Sequence, residues 1–160
     1  MPASVGITFE TFFKAMQARN QAIGLDKNSF NGMSFSQLQD FMLLWYTASG
    51  PKPVSNPAVA IVKYGLGQQI TNWEMAKPGD FIDFSRTSGS GHSVIFLNWI
   101  RKDGEIIGLR YWSSQGSTNG IGYKEEYFSI PDAKGVPYGS IMTKRFYIGR
   151  VGAVASYRKF

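Results

Sequence analysis

The 160-residue chain has no cysteine and one histidine, His92. The missing thiols exclude disulfides and thiolate metal sites. With one imidazole left, a metal would rest on scattered carboxylates such as Asp80 and Asp83, which alone make no site, so neither metal nor cofactor is expected. A phosphate-binding loop is lacking too, because Gly65-Leu66-Gly67 ends a helical segment where such a loop would open one after a strand. No apolar run is long enough to cross a bilayer, and Met1-Pro2-Ala3-Ser4 has neither a basic nor a long apolar leader segment. The expectation is a soluble chain without a membrane span. A protein exported to periplasm or cell surface, its signal peptide removed, would read the same way.

Charge is also sparse, at 18% of residues, too little for a disordered chain, while 43% hydrophobic and 15% aromatic residues suffice for a core. The length suits one domain over residues 1–160. Seventeen Lys and Arg against eleven Asp and Glu leave +6, which favours anionic partners. The basic residues are scattered, the nearest approach to clusters being Lys144-Arg145 and Arg158-Lys159. Without a basic stripe or a reading motif, nucleic acid is not an expected partner.

Helical signals fill the first third. Phe9, Phe12, Phe13 and Met16 recur at helical spacing between Ile7 and Ile23, with Gly24 where a left-handed cap would sit. Ser34 and Gln37 fit a capping box ahead of the apolar face Leu38, Phe41, Met42 and Trp45, and Gly50-Pro51 ends that segment. Asn56 and Pro57 open a third, shorter helix that Gly65 closes. After the Pro78-Gly79 turn, strand-like runs follow at 81–84, 93–100, 106–113 and 146–154, with 129–140 an extended loop. Helices first and strands second predict an α+β fold, the N-terminal helices packed on a mostly antiparallel curved sheet or half-barrel.

Asp103-Gly104 makes a two-residue hairpin turn whose direct register sets Gln115 opposite His92. A side-chain carbonyl there would hold the imidazole in one tautomer, as a catalytic base requires. A bulge would bring Ser114 into that place, and Ser113 is a third candidate. The small residues of 86–91 leave room for a substrate backbone, and Tyr111, Trp112 and Ser113 are candidate substrate contacts, with core packing as the plainer reading of the two aromatics.

Pro78-Gly79-Asp80-Phe81 followed by Gly91-His92-Ser93-Val94-Ile95-Phe96 resembles the central strands of NlpC-like cell-wall cysteine peptidases, a papain-like class. Ser4-Val5-Gly6-Ile7-Thr8-Phe9-Glu10 has the shape of that family's nucleophile motif at the start of the first core helix. The resemblance implies a papain-like fold with Ser4 at the nucleophile position, His92 as general base and Gln115 as orienter. It also implies peptide bonds of cell-wall stem peptides as substrate. The departure is the absent thiol. Ser34, Ser36 and Ala48 are alternative positions for the lost cysteine, though the two serines have an adequate role as caps and Ala48-Ser49-Gly50 leads into a turn.

A helix start and a nearby imidazole lower a thiol's pKa far more usefully than a hydroxyl's, so a Ser4–His92 pair would bind substrate and turn it over poorly. Two origins stay open, an engineered Cys-to-Ser change or a natural pseudoenzyme. Two functions stay open as well: a cysteine-peptidase-type amidase in thiol-less form, or a non-catalytic module that binds peptide or glycan.

Overall fold

Three helices precede six strands along the chain, and the computed structural model describes residues 3–115 and 120–160, the side chains of 3, 4 and 115 lying outside that description. Helix α1 (Ala3–Ala22) begins before Ile7 and buries Val5, Phe9, Phe12 and Met16, one stripe at spacings of four and three. Gly24, at φ 79°, lies just past its end.

Helix α2 (Phe35–Trp45) opens on the expected capping box. Ser34 Oγ accepts from Gln37 N at 3.2 Å, and Gln37 Oε1 accepts from Ser34 N at 2.8 Å. Its buried face is Phe41, Leu44 and Trp45, whereas Met42, expected in the core, is more than a third exposed. The helix stops at Trp45, earlier than Gly50-Pro51 suggested, where Thr47 adopts φ 58°. A short 3-10 turn at Lys52–Val54 leads to α3 (Pro57–Lys63), which Asn56 caps by accepting from Val59 N at 3.1 Å.

The strands are β1 (Gly67–Gln69), β2 (Phe81–Arg86), β3 (Gly91–Lys102), β4 (Glu105–Gln115), β5 (Gly120–Tyr127) and β6 (Ile141–Val151). They form one open antiparallel sheet in the order β1-β6-β2-β3-β4-β5. The two edge strands are absent from the sequence reading: β1 is exposed throughout, and β5 carries glycines and charges in place of an apolar alternation.

The β3–β4 hairpin turns at Asp103 and Gly104, with φ 50° and 81°, the left-handed pair that a tight two-residue turn requires. Its ladder slips by one residue near Ile100 and slips back near Phe96. The two slips cancel, so Ile95 faces Trp112 as an unbulged hairpin would place it.

Helices cover one face of the sheet. There Phe9, Phe12, Phe41, Trp45 and Phe81 pack ring against ring. The other face carries a second core of Ile82, Phe84, Val94, Phe96, Leu109, Tyr111, Phe146 and Ile148. That face is the inside of a curl. Arg86 of β2 and Glu126 of β5 meet at 2.6 Å across it, although three strand spacings in a flat sheet would separate their backbones by roughly 14 Å. The loop after β5 closes over the same side, with Phe128 bridged to Ile141.

Candidate functional site

Strand β3 divides its polar residues between the two faces. Ser93 points to the helices: its Oγ lies 2.9 Å from Thr8 Oγ1, which also accepts from Trp45 Nε1 at 3.1 Å. All three residues are fully buried, so the bonds satisfy groups that water cannot reach. His92 points the other way. Its Nε2 lies 2.9 Å from Ser113 Oγ, and its ring packs edge-on against Phe84 and Tyr111 at 5.8 and 5.5 Å.

The imidazole is 5% exposed. Burial pushes its pKa down to about 4, and the charge of Arg86 adds to the effect. It is therefore neutral at physiological pH.

The sequence-predicted site divides accordingly. The backbone of Ser4 lies in the first turn of α1, one turn before Thr8 and thus on the helix side of the sheet, while its side chain lies outside the described residues. The sheet stands between α1 and the His92 ring. Gln115 pairs with Gly120 in the β4–β5 ladder, and its side chain is likewise outside the description. The described partner of His92 Nε2 is Ser113.

Tyr111, Trp112 and Ser113 do not form one binding surface. Tyr111 and Ser113 are fully buried inside the curl, while Trp112 lies on the helix side between Ile95 and Tyr123 in the ladder. Consecutive strand residues cannot share a face.

Inside the curl, Tyr111 Oη donates to Glu126 Oε1 at 2.8 Å, and Arg86 grips both carboxylate oxygens at 2.6 and 2.8 Å. Burial raises the Glu126 pKa, but the bonds from Arg86 and Tyr111 outweigh it and the net direction is down. This network ties β2, β4 and β5 together and offers no exposed nucleophile.

A second polar group lies on the helix side. Asp83, the ladder partner of Ser93, is bound by Lys52 Nζ at 3.2 Å and by Thr47 Oγ1 at 3.4 Å. Lys52 Nζ also donates to the Phe84 carbonyl at 2.8 Å. Burial raises the Asp83 carboxyl to about 6 despite the neighbouring ammonium. Thr47 holds a left-handed backbone at φ 58°, costly for a β-branched residue.

The Lys52–Asp83–Thr47 cluster escaped the sequence reading, which weighed Asp83 only as a metal ligand. Its one local signal is Pro51-Lys52-Pro53, a lysine whose backbone two prolines restrain.

An open groove of about 490 Å³ runs along α1. Phe9, Phe13 and Tyr46 supply its apolar surface, Glu10, Lys14 and Gln17 its polar rim, and Gly6 one end. Phe9 and Phe13 continue into a groove of about 230 Å³ on α2, next to Phe35, which is 83% exposed. Family models, curated proteins and solved structures yield no match to this chain. Among the described residues no three His, Asp or Glu side chains gather to hold a metal, and no helix is long and apolar enough to cross a membrane.

Proposed function

We propose that this chain is a peptide-binding module on a papain-like scaffold, holding peptide in the groove along α1 without cleaving it. The observation that carries this reading is the opposition of His92 and α1 across the sheet. A base must come within hydrogen-bond reach of the nucleophile it serves, and this imidazole is buried on the far side with its Nε2 engaged by Ser113. The peptide class comes from the NlpC-like resemblance of Gly91–Phe96 and Ser4–Glu10. The groove supports it with aromatic surface and a polar rim, the usual make-up of a ligand cleft. The competing reading is a thiol-dependent amidase of the same class, with position 4 as nucleophile.

Restoring the thiol separates the two. In the Ser4→Cys variant, the binding reading expects iodoacetamide to react at the rate of an ordinary exposed thiol, with a single ionisation near the free-cysteine value. His92→Gln should leave that rate unchanged. A thiol that alkylates rapidly at pH 6, and loses that reactivity in the His92→Gln background, would return the chain to the amidase class.

A further inference from the structure

We infer that the outer edge of β5 joins two copies of this chain, β5 pairing antiparallel with the β5 of a second copy about a two-fold axis at Tyr123. The inference goes beyond peptide binding and does not rest on it.

The open edge follows from the ladder. Phe128 N donates to the Ile107 carbonyl at 2.9 Å, and the β4–β5 register runs from there to Gln115 and Gly120 without a slip. Bonded and non-bonded pairs alternate along an antiparallel ladder, so Gly122, Lys124 and Glu126 turn their backbone groups to β4. Those of Ile121, Tyr123 and Glu125 point away from it, and among the described residues nothing else bonds them. Beyond them the chain covers its own strand: a Cβ at Gly139 would stand 2.3 Å from the Tyr127 carbonyl oxygen. The open stretch is therefore 121–125, with Tyr123 at its centre.

The side chains of the same three residues share the helix-side face with Trp112. Helix α1 packs over β3 and β4 there, and Ile121 and Tyr123 remain 55% and 62% exposed. An edge with apolar side chains and neither proline nor bulge is a template for another strand. The opposite edge, β1, offers only Gly67, Gln68 and Gln69.

The symmetry of the open stretch selects a second copy as the occupant. A two-fold axis at Tyr123 sets Tyr123 against itself and Ile121 against Glu125, so every outward N–H finds an outward C=O. Sliding the pairing by two residues one way sets Lys124 against Lys124, a like-charge pair. Sliding it the other way carries Glu125 past the start of the other β5 at Gly120. In the centred register the two Tyr123 rings meet across the axis, each with Arg110 of its own chain over it at 5.6 Å. Glu125 keeps Arg110 as its ladder partner. On the other face Gly122 stands against Lys124, so no two long side chains compete for that space.

Sedimentation equilibrium of the whole chain should show a reversible monomer–dimer equilibrium with a dissociation constant of about 10–100 µM, as suits a small interface. Tyr123→Pro should weaken the dimer at least about tenfold with an unchanged urea midpoint, since it removes an N–H that the β4 ladder does not use. Tyr123→Lys, which sets like charges on the axis, should do the same without restraining the backbone. The chain has no cysteine, so a single introduced one reports the register. In Tyr123→Cys the paired Cα atoms would lie about 5.5 Å apart, and mild oxidation should link the copies. In Ile121→Cys they would lie about 14 Å apart and stay unlinked.

A monomer at every concentration, the outcome if the edge takes a foreign strand or none, would overturn the inference. So would a dimer that neither Tyr123→Pro nor Tyr123→Lys weakens, or equal linking of the two cysteine variants.

Discussion

His92 and Ser93 are consecutive on β3 and serve opposite faces of the sheet, the imidazole bonded to Ser113 inside the curl and the hydroxyl to Thr8 of α1. One residue of strand separates an environment closed by aromatic rings from one shared with the helices.

Two buried titratable groups, His92 and Asp83, act on stability in opposite directions. His92 titrates at about 4 in the fold against 6.5 unfolded, so its contribution is full above pH 6.5 and is lost as pH falls towards 4, by roughly 3 kcal/mol. Asp83 titrates at about 6 against 3.8, so its contribution is full below 3.8 and is lost as pH rises through 6, by a similar amount. Urea unfolding of the intact chain should therefore show little change between pH 4 and 6.5. Asp83→Asn should lose stability on acidification across that window and His92→Gln should gain it. Parallel curves for all three would show that neither group is held as described.

Ser113→Ala removes the partner of a buried imidazole nitrogen. The expected cost is about 1–3 kcal/mol, the penalty for an unsatisfied buried polar group, read as a lower urea midpoint with unchanged slope. Ser113→Thr, if its methyl is accommodated, should recover part of it.

Thr8→Val keeps shape and deletes the oxygen that Trp45 and Ser93 share. Two buried groups lose a hydrogen bond together, so the loss should exceed that of Ser93→Ala alone, at roughly 2–4 kcal/mol. If Thr8→Val and Ser93→Ala destabilise equally, the bond from Trp45 carries nothing.

Arg86→Met strands the Glu126 carboxylate inside the curl, where its side chain is only 12% exposed. Breaking such a pair from one side costs about 3–5 kcal/mol, whereas the double variant Arg86→Met, Glu126→Gln should be appreciably milder. The comparison is made by guanidinium unfolding at pH 7, with the single variant regaining stability as the carboxylate is protonated in acid.

Local chemistry in the chain was enough to announce the α2 capping box, the Asn56 cap with Pro57 behind it, and the Asp103-Gly104 turn, because each depends on atoms a few residues apart. The order of helices before strands likewise indicated α+β. Strands β1 and β5 left no such mark, since an exposed edge strand needs no apolar alternation and is defined by its neighbour's hydrogen bonds.

For the candidate site, the sequence by itself determined that His92 and Ser93 must face opposite ways, and that Tyr111 and Ser113 must share a face while Trp112 takes the other. Which of those faces the helices cover was decided only in the tertiary structure, through Thr8 meeting Ser93. The same holds for the meeting of Lys52, Thr47 and Asp83. Alternation along a strand is a covalent property of the backbone, but the identity of each face depends on contacts tens of residues away, which no local pattern encodes.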